Sequence, residues 1–218
     1  MGAKLSWTHY LLLMPLKDIN AINYYIDITN KQNLTKRQLE ERIKSKEYER
    51  LPESTKNKLA LNQKEEITLP ETIKDPIIIY TNTEIKDINH QLLEKIIMED
   101  LTNFLMRLGD GYSFIGEEFQ IKIGNRYHYI DMLLFNYTYN SFVVLEIKTG
   151  EVTARDKGQI KEYMNYVDEN IRKEGQNETY GIIMCKIYDK WIITYFKDDK
   201  ITVVTFDIKN KYNIANIK

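Results

Sequence analysis

Residues 143–151 read "VVLEIKTGE", a strand-forming run interrupted by Glu146 and Lys148. Residues two apart in a strand share a face, so this carboxylate and ammonium form one cluster while Leu145 and Ile147 point the other way. Burying a charge without a partner costs several kcal/mol after relaxation, so both groups need solvent, a counter-ion or a ligand. A salt-bridged edge strand would satisfy them. Asp131 adds a second anomaly, because it sits in "YHYIDMLLF" among apolar residues where strand propensity disfavours aspartate. The short connector "NYTYNS" makes the two strands an antiparallel hairpin, which would bring Asp131 beside Glu146 on one face. Two such carboxylates repel each other unless a cation lies between them, and hard oxygen ligands suit Mg²⁺ or Mn²⁺.

One helix could reach this cluster, and a second carries an acid among apolar neighbours. After the strand comes "GQIKEYMNY", in which Gln159, Tyr163 and Tyr166 fall on one stripe, with Gln159 in the first turn. Upstream, Ile85, Ile88, Leu93, Ile97, Leu101, Phe104 and Leu108 repeat at helical spacing and Gly109 follows, which predicts one helix over residues 84–108. Glu94 shares a stripe there with Met98, Leu101 and Leu105, and its ordinary reading is a rim residue whose head reaches water. Solvated positions account for Glu151 and Lys161. His9, His90 and His128 show no metal-ligand spacing, so packing or surface roles are expected.

Strand patterns recur in "FQIKIGN", "RYHYIDMLLF", "SFVVLEIKTG", "YGIIMCK", "KWIITYF" and "ITVVTFDI", with a helix "KGQIKEYMNYVDENIRK" after the third. This order predicts an α/β domain: a mixed sheet flanked by helices, the crossover helix letting the next strand run parallel to residues 141–150. Before it, "NLTKRQLEERIKSKEYERL" reads as a helix capped by Thr35 and Gln38, with Leu39, Ile43 and Leu51 inward and Lys36, Arg37, Arg42, Lys44, Lys46 and Arg50 outward. That basic face is the best candidate for phosphate contacts, although a solvated helix face is the commoner reason for mixed charge. With "THYLLLMPLKDINAINYYIDI" it suggests a small helical module of helix-turn-helix or dimerisation type. Residues 52–76 hold three of the four prolines and read as a linker, so the expected domains are 1–70 and 71–218.

The composition, 43% hydrophobic and 29% charged over 218 residues, is that of a soluble globular protein with no apolar run approaching a membrane span. No signal peptide is read at the start, and a cytoplasmic location is expected. The single cysteine, Cys185, excludes an internal disulfide and a multi-cysteine zinc site. A net charge of −1 gives no global electrostatic case for nucleic acid, so any such contact must come from local patches.

Taken together, Glu94, Asp131, Glu146-Ile147-Lys148 and Gln159 resemble the PD-(D/E)XK nuclease superfamily. "LGDGYSFIGEEFQIKIGNRYHYIDMLLFN", "VVLEIKTGEVTARDKGQIKEYMNYVD" and "NETYGIIMCK" resemble its bacterial YhcG-like branch, and "LSWTHYLLLM" with "LTKRQLEERIKSKEYERL" that branch's N-terminal domain. The resemblance implies a restriction-endonuclease-like fold and a metal-dependent nuclease acting on DNA more readily than RNA. It further implies that Asp131, Glu146 and the Ile147 carbonyl ligate Mg²⁺ or Mn²⁺, that Lys148 orients or deprotonates water and offsets phosphate charge, that Gln159 positions water or phosphate, and that Glu94 holds a second metal or a ligated water. For Lys148, orientation and charge are favoured, because a base would need a lowered pKa beside two carboxylates. Ile130 stands where the superfamily motif has proline, and the N-terminal domain is expected to be shorter than in relatives. Two other classes fit the residues less well. One is an inactive nucleic-acid-binding or assembly module on the same fold, for which clustered carboxylates facing a polyanion have no use; the other is a homodimer formed through the N-terminal helices, with "NYYIDI" in the contact.

Overall fold

The structure, a computed structural model, describes residues 5–60, 68–82, 89–187 and 198–210. The chain divides into two compact units, Met1–Lys74 and Asp75–Lys218.

The first unit is helical: α1 (Trp7–Leu13), α2 (Ile19–Gln32), α3 (Lys36–Lys44), a 3-10 turn at Tyr48–Arg50, α4 (Glu53–Ala60) and α5 (Leu69–Thr72). Asp18 caps α2, Asn33 ends it in the left-handed conformation, and Thr35 and Gln38 form the capping box that starts α3. Two expectations change here, the exposure of Arg42 and the nature of the linker. Arg42 is buried rather than part of a basic surface. Its guanidinium donates to Glu47 at 2.9 Å, and Lys74 lies 3.3 Å from the same carboxylate oxygen, so the buried Glu47 determines where both cations point. In the "NYYIDI" segment Tyr25 is buried and Tyr24 donates to Glu47 at 2.7 Å, while Asn23 and Asp27 are exposed. The expected linker contains α4 and α5, joined by the Thr55 hydroxyl on the Glu71 carbonyl and by a Lys58–Glu71 ion pair.

The second unit runs β1 (Ile77–Thr81), α6 (His90–Glu99), α7 (Leu101–Leu108), β2 (Tyr112–Ile123), β3 (Arg126–Asn136), β4 (Ser141–Glu151), α8 (Ala154–Asn170), β5 (Asn177–Ile187) and β6 (Ile201–Asn210). The six strands form one mixed sheet in the order β1-β6-β5-β4-β3-β2. β1, β6, β5 and β4 are parallel neighbours, and β3 and β2 complete the sheet antiparallel. β4 lies between β3 and β5, which explains why Phe142 to Ile147 are all buried. α8 covers one face, packing Ile160, Met164 and Val167 over Val144, Leu133 and Ile183. Cys185 is a buried strand residue whose thiol burial pushes up to about 12.

Two elements differ from the sequence reading. β1, a five-residue run buried throughout, was not anticipated, because a short apolar run has no periodicity of its own. The expected single helix breaks at Asp100, whose ψ of 34° ends α6 and starts α7, so Leu101 and Leu105 belong to a different helix from Glu94. Residues 84–88 of that helix and the "KWIITYF" strand lie outside the described residues.

Candidate active site

The β3–β4 ladder runs from Asn136↔Ser141 to Met132↔Leu145 and stops just short of Asp131. There the Asp131 carboxylate replaces the missing backbone partner, accepting from the Ile147 N–H at 2.6 Å, and Glu146 accepts from the Asp131 N–H at 3.4 Å. A residue's N–H and C=O face the same neighbour in an antiparallel ladder, so the Ile147 carbonyl looks into the same gap. β3 is irregular at this point. Ile130 and Leu133, three apart, both join the cluster beneath α8, which strict alternation forbids, and Glu118 in the facing strand has a φ of 42°. The sequence shows an acid in a strand, and the structure shows that strand opening around it.

Glu146 is only 2 % exposed. Burial and the neighbouring Asp131 charge push its pKa from the ordinary 4.5 up to about 8, against the pull of Lys148. The Lys148 ammonium lies 3.6 Å from Glu146 and 3.5 Å from Asp156. Burial works to lower its pKa, but Glu146, Asp131 and Asp156 outweigh it and hold it above the ordinary lysine value. Lys148 is therefore held in its cationic form. Asp156 doubles as the third residue of the capping box that starts α8, accepting from the Thr153 hydroxyl at 2.6 Å and its N–H at 2.8 Å. One carboxylate thus fixes both the helix start and Lys148.

From α8, Gln159 donates to Glu146 at 3.2 Å and to the Tyr163 hydroxyl at 2.9 Å. From α6, Glu94 reaches the site through His90, whose Nδ1 lies 3.2 Å from Glu94 and whose Nε2 lies 3.2 Å from Asp131. Ligand atoms of His90, Glu94 and Asp131 all lie within 4.8 Å of one another. Burial, with help from Asp131 and Glu118, raises the Glu94 pKa against the pull of His90. Asn89 caps α6 and so starts it one residue before His90.

Asp131, Glu146, Lys148, Gln159 and Glu94 are thus brought to one place, and the Ile147 backbone joins them. His90 stands with them instead of in the packing or surface role expected. The i, i+4 spacing of His90 and Glu94 was the available signal. Asp156 and Tyr163 are the other participants, readable as a Thr-x-x-Asp capping box and a Gln-x-x-x-Tyr helix stripe. His128 packs edge-on against Tyr163, with ring centroids 6.0 Å apart.

The donor set fits a hard divalent cation. Glu146 and Asp131 crowd two carboxylates into a largely buried gap where Lys148 leaves Glu146 with a strongly raised pKa, and a cation would relieve that repulsion.

A mixed sheet that opens at an aspartate, beside a Glu-x-Lys strand and a glutamine helix, has the arrangement of a PD-(D/E)XK nuclease. The chain belongs to the YhcG PDDEXK nuclease domain family, which matches residues 70–215. Residues 1–50 match the DUF1016 N-terminal domain. The chain is 28% identical over 181 residues to an Escherichia coli (strain K12) protein described as "Putative nuclease YhcG"; the match covers 81% of this chain and 48% of that protein, so the chain spans about half of its relative's length. Among solved structures it is similar to a repair endonuclease from Pyrococcus abyssi (TM-score 0.38, 16% identity, 59% of this chain and 50% of that one). A structure described as an EndoMS-dsDNA2 complex gives a TM-score of 0.39 at 16% identity, covering 59% of this chain and 49% of that one. Among the described residues, no helix is long and apolar enough to cross a membrane.

Proposed function

We propose that this chain hydrolyses phosphodiester bonds of nucleic acid, DNA ahead of RNA, with Mg²⁺ or Mn²⁺ as cofactor. The observation that carries the reading is the buried Asp131–Glu146 pair at the break in the β3–β4 ladder, with the Ile147 carbonyl facing the same gap and Lys148 beside it. Asp131, Glu146 and the Ile147 carbonyl would hold the cation, and His90 and Glu94 offer a second set of ligands that shares Asp131. When bound, the cation polarises the phosphate and lowers the pKa of a water beside it.

The chain's own residues have distinct tasks. Lys148, kept cationic by three carboxylates, sets a positive charge where the phosphate gains negative charge and orients the attacking water. Gln159 pins Glu146 in place and turns its amide toward the same space. Tyr163 in turn fixes the Gln159 amide. The break in the ladder keeps the Ile147 carbonyl available for a ligand instead of a strand.

The test is to incubate the chain and its Lys148→Ala variant with labelled single- and double-stranded DNA and RNA in Mg²⁺, Mn²⁺ or EDTA. Wild type should cut only with a divalent cation, and the variant should be slower by about 10²-fold or more, the scale for losing a group that stabilises transition-state charge. A wild type that cuts nothing, or a variant that cuts equally well, would refute the reading.

A further inference from the structure

Beside Gln159, on the α8 side of the sheet, lies a cleft of about 420 Å³ lined by His128, Arg155, Gly158, Gln159, Glu162 and Tyr163. Its volume falls within the range of small-molecule sites, and it is open to solvent on one side. We propose that it receives one nucleotide next to the scissile bond, on a strand that is unpaired there, with Arg155 on the phosphate and the His128 ring against the base. This rests on the nuclease reading above and adds a substrate class to it.

The location comes first. Gln159 and Tyr163 line the cleft, and Gln159 donates to the buried Glu146, so a nucleotide lodged there is one side chain away from the proposed reaction centre. Charge comes second. Lys148, beside Glu146 in the proposed reaction centre, is engaged with Glu146 and Asp156, and Arg155 is the cation that lines the cleft. Arg155 is exposed and makes no hydrogen bond or ion pair among the described residues, so its planar fork is available to an anion. Glu162 also lines the cleft, but seven residues along α8, roughly 10 Å by the helix rise, so the phosphate belongs at the Arg155 end and Glu162 faces hydrogen-bond donors of the base or sugar.

Gly158 supplies the third argument. Glycine inside a helix costs stability relative to alanine, and here packing does not demand it, because a Cβ added at Gly158 would meet nothing within 4 Å. What the missing side chain leaves open is the cleft itself. A base stacked within a duplex has its faces covered and its edge paired, whereas an unstacked base can enter a single-nucleotide cleft and lie against an imidazole.

Binding of the full chain to a fluorescein-labelled mixed-sequence single strand, and to the blunt duplex of the same sequence, tests this. It is measured by anisotropy with Ca²⁺ in place of the catalytic cation and the probe checked for integrity. Gly158→Leu should weaken single-strand binding by about tenfold, the scale of one lost base contact, while duplex binding changes by less than about twofold. Leucine is the better helix former, so the melting midpoint should not drop. Arg155→Ala should flatten the slope of log Kd against log salt by about 0.7 for the single strand, the share of one phosphate contact, and Arg155→Lys should restore it. If both variants bind the single strand as wild type does, while wild type still binds and cuts, the cleft assignment is wrong and the nuclease reading stands. Equal weakening on single strand and duplex would also overturn the unpaired-nucleotide assignment. A wild type that neither binds nor cuts any nucleic acid would overturn both.

Discussion

Glu146 is the residue on which the site's electrostatics turn. Its pKa rises from 4.5 to about 8 through burial and then through Asp131, so the fold favours its protonated form. A group whose pKa is raised on folding contributes stability that is complete below the unfolded value and is lost as pH climbs through the folded one. In EDTA, the melting midpoint should therefore decline between pH 4.5 and about 8 by an amount that Glu146→Gln removes. Mg²⁺ or Mn²⁺ should raise the wild-type midpoint most at the upper end, where the carboxylate is ionised and ready to ligate. Scanning fluorimetry over that range, with and without metal, reads both effects; a midpoint whose pH dependence is the same in wild type and Glu146→Gln would refute the assignment. Asp131, Glu146 and Lys148 stood out in the sequence because charge interrupts strands that otherwise read as buried. His90 did not, because an isolated histidine beside a glutamate reads as an ordinary helix surface until the fold sets Asp131 opposite it. Asp156 was hidden for a related reason: a capping box explains it completely before Lys148 is in view.

At the scale of elements, the placement of α8 decides whether Gln159 and Asp156 reach their partners. Gly181 in β5 lies directly beneath this helix. A Cβ there would stand 2.7 Å from the Met164 sulfur and 2.9 Å from Ile160 Cδ1, so these two buried α8 side chains would have to shift to admit it. Gly181→Ala should destabilise the fold by about 1–3 kcal/mol, the usual penalty for overpacking, as read by urea denaturation. Cleavage under conditions where the variant is still folded should fall as well, because displacing Ile160, next to Gln159, disturbs the hold of Gln159 on Glu146; full activity in a destabilised variant would show that the site tolerates the shift. The β2–β3–β4 order and the parallel crossover through α8 were readable because alternation, a short connector and a helical repeat each dictate one geometry. The break at Asp100 and the strand β1 were not. A helical stripe continues in sequence across a kink, and five buried residues, four of them apolar, look alike in a strand, a helix or a loop.

For the molecule as a whole, the division into Met1–Lys74 and Asp75–Lys218 gives each unit its own source of stability. The second has a sheet with an apolar cluster beneath α8, whereas the first places a charged group at its centre. Glu47 is 1 % exposed and is shared by Arg42, Lys74 and the Tyr24 hydroxyl. Burial alone would raise its pKa, yet Lys74 and Arg42 outweigh burial and hold it below the ordinary carboxylate value. The sign is opposite to that of Glu146: this contribution is complete above the ordinary value and is lost as pH falls through the depressed one. Acid should therefore weaken the helical unit. Glu47→Ala removes the anion that Arg42 and Lys74 share, and breaking a buried pair of this kind costs about 3–5 kcal/mol. Hydrogen exchange at neutral pH separates the units: amides of α2 and α3 should lose protection in the variant, while those of β4 and α8 exchange as in wild type. Equal loss in both units would mean that they unfold as one cooperative block, and no loss in either would mean that Glu47 contributes nothing its neighbours do not supply.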